Sequence, residues 1–170
     1  MAETLLGHRD NLKLNPDSRI YFLWLSHKLS RSWEMLEAFC ESTASGKIIN
    51  DIIRKSGKWS TIYKTNLIKW VPLDNDWKIR YPTEKEKNAW LQRLKKEIFV
   101  FRPKWVYLFG KQVSDFILKN FRLEKLTDLE YELWSTKFIL AEHPSYVAVY
   151  RRKHIEKYSN DIINRINTIN

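Results

Sequence analysis

The sequence predicts a three-layer α/β/α fold with a central four-stranded parallel sheet. Three observations carry that expectation. Short, largely apolar, β-rich runs recur along the 170 residues, as expected of strands buried on both faces. Segments with helical periodicity lie between them, and strands alternating with helices imply a parallel sheet with right-handed crossovers. Glycine and proline are scarce, at 4 and 5, while 44% of residues are apolar, which suits one packed domain.

The elements follow in order. Residues 1–18 are polar and form an N-terminal extension, leaving 19–170 as a single domain. "RIYFLWLS" (19–26) is the first strand. Residues 29–46 are irregular. Ser42 and Thr43 are suitable helix caps, Ile48, Ile49, Ile52 and Ile53 then repeat at helical spacing, and Gly57 is placed to end that helix. "STIYKTNLIKW" (60–70) is the second strand, followed by a loop from Pro72. Thr83 with Glu86 fits a capping box, and Trp90, Leu91, Leu94, Ile98 and Phe101 give one helical face. "KWVYLFG" (104–110) is the third strand, and Gly110 turns it into a helix bearing Val113, Phe116 and Ile117. "TKFILAE" (136–142) is the fourth, and Ile155, Tyr158, Ile162 and Ile166 form a last helical stripe.

The net charge of +10 favours a polyanionic partner. Cys40 is the single cysteine, which excludes an intramolecular disulfide and an all-cysteine zinc or iron–sulfur site within one chain. The histidines show no paired metal-ligand spacing, so neither a metal nor a cofactor is expected. No segment reads as a signal peptide or membrane span, so a soluble protein is expected, cytoplasmic and in a bacterial or viral setting.

Ligands of open α/β sheets bind at the carboxyl ends of the strands. The predicted loops bring there Ser26, His27 and Lys28; Lys64, Thr65 and Asn66; Gly110, Lys111 and Gln112; and Glu142, His143, Pro144 and Ser145. Singly these are weak signals, since His143 reads equally as a structural histidine and Asn66 as a satisfied buried amide. The phosphate loops G-x-G-x-x-G and G-x-x-x-x-G-K-[ST] and the nucleophile elbow G-x-S-x-G do not occur, which weighs against kinases, nucleotide-dependent oxidoreductases and esterases.

Together, "AEHPSYVAVYRR", "KTNLIKWVPL", "RPKWVYLFGKQVSDFI" and "AFCESTASGKII" resemble the motifs of the uracil-DNA glycosylase superfamily over about residues 20–165. The resemblance implies a metal-free, water-driven cleavage of a base–deoxyribose bond in DNA by a monomeric enzyme. It implies that His143 donates a hydrogen bond to the base oxygen, that Asn66 reads the base edge, and that Phe39 and Ser26 help bind the base. Phe39 also reads as an ordinary core phenylalanine. A base in a duplex must be flipped out before it can react. The loop expected after His143 offers Tyr146 and Val147 as a wedge, and Ser145, Arg151, Arg152, Lys153 and Lys111 are the expected DNA contacts.

The chain departs from the familiar pattern at the first motif, where a Gly-x-x-Pro type loop is replaced by "LWLSHKLSRSWE". His27 is the candidate to position water there; Glu34, Glu37, Glu41 and Asp74 are other acids within reach. The lone cysteine points to a small, cluster-less, divergent branch. The altered loop leaves two base classes open, uracil or another deaminated base, and a hypermodified cytosine of phage DNA such as glucosylated hydroxymethylcytosine, with the missing loop tilting toward the second. No β-lyase step is expected, Lys64 being the lysine near the rim. Two competing readings are a catalytically inactive relative that binds DNA or a partner protein, and an enzyme of free nucleosides, against which the aromatic, basic segment argues.

Overall fold

The structure, a computed structural model, describes residues 18–169. The expected N-terminal extension, apart from Ser18, lies outside the described residues. The elements in chain order are β1 (Ile20–Ser26), β2 (Lys28–Leu29), β3 (Met35–Leu36), α1 (Ala44–Ser56), β4 (Ile62–Ile68), α2 (Glu84–Phe101), β5 (Trp105–Phe109), α3 (Lys111–Asn120), β6 (Glu124–Lys125), β7 (Glu130–Leu133), β8 (Thr136–Ala141), α4 (Pro144–Tyr150) and α5 (Ile155–Asn167).

The main sheet has six strands in the order β4-β1-β5-β8-β7-β6. β4, β1, β5 and β8 are mutually parallel and match the expected strands. Their apolar runs are buried on both faces: Tyr21, Phe22 and Leu23 of β1 are wholly inaccessible, as are Val106 and Leu108 of β5. Burying such a side chain contributes roughly 1.5–3 kcal/mol, so β1 and β5 anchor the molecule.

Four expectations need correction. The sheet has six strands rather than four, because β7 and β6 extend it antiparallel beyond β8. β7 is the half-buried "EYEL" and β6 the exposed pair Glu124–Lys125, which lack an apolar run. The irregular 29–46 segment contains a short hairpin, β2 with β3. The segment after His143 is not a loop but the helix α4. Asp74 is a turn former, its Oδ1 accepting the backbone N–H groups of Asp76 and Lys78 at 2.9 and 2.8 Å.

Capping chemistry fixes the helix ends. Thr43 caps α1 through the Gly46 N–H, and Gly57 closes it in the left-handed region at φ 67°. Thr83 and Glu86 form the expected capping box on α2. α1 packs against α5 and α4, α2 lies on β4, and α3 lies on β1 and β5.

From β1 the chain crosses to β4 at one edge; from β5 it crosses to β8 on the other side. This reversal between β1 and β5 opens a crevice at their carboxyl ends, where ligands of open α/β sheets bind.

Candidate active site

The crevice is a cleft of about 900 Å³. Its walls include Trp24 to Lys28 from the end of β1, Gly110 to Val113 at the start of α3, Ile79 to Tyr81 from the loop after β4, and His143, Ser145, Tyr146, Val149 and Tyr150. Beneath it lies a small inner pocket of about 20 Å³, formed by Trp24, Ser26, His27, Lys28, Phe39 and Asn66 with the 36–43 segment. A volume of that size holds about one water molecule.

His143 ends the β8 connection and caps α4, its Nδ1 accepting the Ser145 N–H at 3.1 Å. That bond places the imidazole proton on Nε2, because a neutral ring has one donor and one acceptor nitrogen. Burial, reinforced by the positive charge of Lys28, lowers the His143 pKa from 6.5 to about 4. The ring is therefore neutral at physiological pH and offers an Nε2–H donor. Trp24 meets it edge to face at 4.2 Å between ring centroids. Gly110 lies against its other side: at φ 97°, a Cβ there would stand 3.2 Å from His143 Cδ2. The imidazole is thus clamped in one orientation.

Lys64, Thr65 and Asn66 lie within β4 rather than in the expected loop, and Asn66 is paired with Trp24 in the β1–β4 ladder, beside it on one face of the sheet. It is 2% exposed, and its Nδ2 is buried without a hydrogen-bond partner. Leaving such a donor unmet costs about 1–3 kcal/mol, an expense that folding alone does not explain.

Phe39 is 4% exposed and held at φ 55°. Asn50 fixes it by donating to the Phe39 carbonyl at 2.7 Å, while its own Oδ1 accepts from Lys64 at 3.0 Å. Phe39 is enclosed by Phe22, Trp24 and Phe109, as a core phenylalanine is, and it also borders the inner pocket with Asn66. Trp24, 4.5 Å away between ring centroids, borders both the cleft and the inner pocket. Gly46 brings this loop close, since a Cβ there would lie 1.8 Å from the Cys40 carbonyl oxygen.

Ser26 and His27 border both the cleft and the inner pocket. His27 is buried, with its Nδ1–H donated to the Leu36 carbonyl at 2.7 Å, which ties β1 to β3. Among the first-motif acids, Glu37 borders the inner pocket, whereas Glu34 sits in the hairpin turn, bonded by Ser32 at 3.2 Å. Lys28 is exposed as a residue, yet its ammonium lies 5.4 Å from the Trp24 ring centre, and this partial burial lowers its pKa.

The expected DNA contacts divide. Val147 is wholly buried, on the inner face of α4, so the wedge assignment is corrected. Tyr146 and Tyr150 form an exposed pair at 5.2 Å, and Val149 is exposed beside them along the cleft. Ser145 gives its hydroxyl to a 2.8 Å bond with Ser45, joining α4 to α1. Arg151 pairs with Glu142 at 3.0 Å, and Lys111 with Asp115 at 2.8 Å. Arg152 and Lys153 are exposed in the turn before α5. Trp24, and the Ile79–Tyr81 loop, were not among the residues singled out in the sequence. Trp24 is hidden inside an apolar run, and its place two residues before the strand end was the available signal.

A model of the uracil DNA glycosylase superfamily matches residues 15–167. The chain belongs to this superfamily. Its members are DNA glycosylases. No curated protein sequence matches the chain. Thirty-six solved chains match it in structure. One is wild-type Pedobacter heparinus SMUG2, at 12% identity and a TM-score of 0.64, over 89% of this chain and 76% of that one. The likeness is one of fold. Among the described residues no cluster of side chains could hold a metal ion, and no helix is long and apolar enough to cross a membrane.

Proposed function

We propose that this superfamily member is a monofunctional DNA glycosylase that hydrolyses the bond between deoxyribose and an abnormal pyrimidine, leaving an abasic site. The observation that carries the reading is two preset donors on either side of Trp24: the unpartnered Nδ2 of buried Asn66 at the inner pocket and the Nε2–H of neutral His143 at the cleft.

As the glycosidic bond breaks, its electron pair moves onto the base nitrogen and spreads to the base carbonyl oxygen, which gains negative charge. A donor fixed in advance strengthens with that charge and so lowers the barrier. A neutral histidine donates without having to lose a bound proton elsewhere. The Lys28 charge beside it adds to the same effect. Glu37 and His27 border the inner pocket and orient the attacking water there. The exposed Tyr146, Val149 and Tyr150 fill the gap left by the flipped nucleotide, while Arg152, Lys153 and Lys111 hold phosphates.

Asn66 presents an unmet N–H, which selects a carbonyl over an amine on the base edge. This favours uracil or another 4-oxo pyrimidine. The hypermodified-cytosine reading keeps one supporting feature, the wide cleft of about 900 Å³, with room for an appended sugar. A panel of DNAs carrying uracil, hypoxanthine, hydroxymethylcytosine or its glucosylated form decides between them. Abasic sites on uracil DNA alone support the carbonyl reading; abasic sites on glucosylated DNA alone overturn it. The protein is proposed to act as a cytoplasmic monomer, and salt-sensitive DNA binding with no abasic sites on any substrate would instead indicate an inactive, DNA-binding relative.

A further inference from the structure

A second groove of about 580 Å³ lies at the opposite end of the sheet from the cleft. It is bordered by Phe99 near the end of α2, by Arg122 just after α3, and by Trp134 in the turn leading into β8. These points cluster at the amino ends of β5 and β8, whereas His143 follows the carboxyl end of β8. The length of β8 alone separates the two regions by roughly 15–20 Å.

Three features mark this groove. Phe99 and Trp134 are 53% and 63% exposed, yet they pair with each other at 5.6 Å between centroids, presenting aromatic surface to solvent. Trp134 holds this place at φ 55°, a left-handed conformation that strains a bulky side chain and that a hairpin turn ordinarily gives to Asn or Gly. The charged side chains on the groove wall, Lys95, Lys96 and Arg122, are all cations; none has a carboxylate partner among the described residues, and Lys95 lies over the Phe121 ring at 5.3 Å. Arg102 adds a further cation over the Phe99 ring, at 5.6 Å.

Exposed aromatic rings flanked by cations without carboxylate partners are the components that bind a single strand, the rings stacking on bases and the cations following phosphates. A second copy of the chain is disfavoured, since each carries a net charge of +10 and the same basic groove. An acidic peptide would satisfy the cations but would leave the paired rings unused. We propose that this groove is a second nucleic-acid site that holds a single-stranded segment, stacked on Trp134 and Phe99 and clamped by Lys95, Lys96 and Arg122.

The test uses the full chain and a fluorescein-labelled oligothymidine long enough to span both regions. Two variants are compared with wild type: Trp134→Asn, which suits left-handed backbone and so keeps the turn, and Lys95→Glu with Lys96→Glu. Loss of one stacked base weakens binding roughly tenfold in Trp134→Asn. Loss of two phosphate contacts lowers the slope of log affinity against log salt by about 1.4 in the double variant. Iodouridine in the oligonucleotide crosslinks to the peptide containing Trp134, while base release from a short duplex stays unchanged in both variants. Wild-type affinity and salt slope in both folded variants, with crosslinks confined to the cleft, would overturn the proposal. So would a dimer by sedimentation that is lost in Trp134→Asn while oligothymidine binding persists.

Discussion

Asn66 and His143 make opposite contributions to stability and function. The unmet Asn66 Nδ2 destabilises the fold, so a near-isosteric apolar replacement relieves the penalty. Asn66→Leu is expected to match or exceed wild-type stability, by up to about 1–2 kcal/mol, while base release collapses. Chemical denaturation beside an abasic-site assay checks both halves. His143→Ala removes one preset donor and lowers the single-turnover rate by about 10²–10³-fold. The depressed His143 pKa also sets a pH dependence. The unfolded ring binds a proton near 6.5 and the folded ring only near 4, so the unfolded state holds more protons between those values. Stability therefore rises with pH from about 4 to 6.5 on account of this group, and His143→Ala flattens that rise in denaturation midpoints measured across the window. Trp24 packs edge to face on both Phe39 and His143 and borders both the cleft and the inner pocket. Trp24→Ala opens the inner pocket, and the expected outcome is greater acceptance of bulky bases relative to uracil in the substrate panel.

The elements that present these residues differ in how plainly the sequence showed them. The buried parallel strands were legible because two covered faces demand unbroken apolar runs, as in "IYFLWL" and "WVYLF". α2 was legible from its capping box. α4 was not: "SYVAVY" is rich in β-branched and aromatic residues, and its helical start depends on His143 acting as cap with Pro144 behind it. Reading it as a loop made Val147 a wedge, whereas the helix turns Val147 inward and Val149 outward. The site followed a similar division. Ser26 and His143 could be placed because they end or follow strands, and Asn66 because it is the one side-chain amide inside a β-rich strand; the roles of Trp24 and Phe39 depend on how α1 and its preceding loop pack, which no local pattern states. Gly46 governs that packing. Gly46→Ala drives a methyl group into the Cys40 carbonyl, and the expected loss is at or above the upper end of the about 1–3 kcal/mol typical of overpacking, read from the thermal midpoint. Gly110→Ala presses on His143 instead, and should reduce the rate more than the stability.

At the scale of the whole molecule, one sheet reversal gathers the chemistry. The turn of direction between β1 and β5 brings the ends of β1, β4, β5 and β8 to one rim, and the net charge of +10 draws a polyanion toward it. Family membership, a crevice at that rim, the unmet Asn66 donor and the oriented His143 ring agree on base excision. The most direct measurement is single-turnover formation of abasic sites on uracil-containing DNA by wild type, Asn66→Leu and His143→Ala, each confirmed as folded. The account predicts release by wild type, a loss of about 10²–10³-fold in His143→Ala, and near-abolition in the fully folded Asn66→Leu. Release that persists at the wild-type rate in both variants would contradict it, for then neither donor takes part in the chemistry.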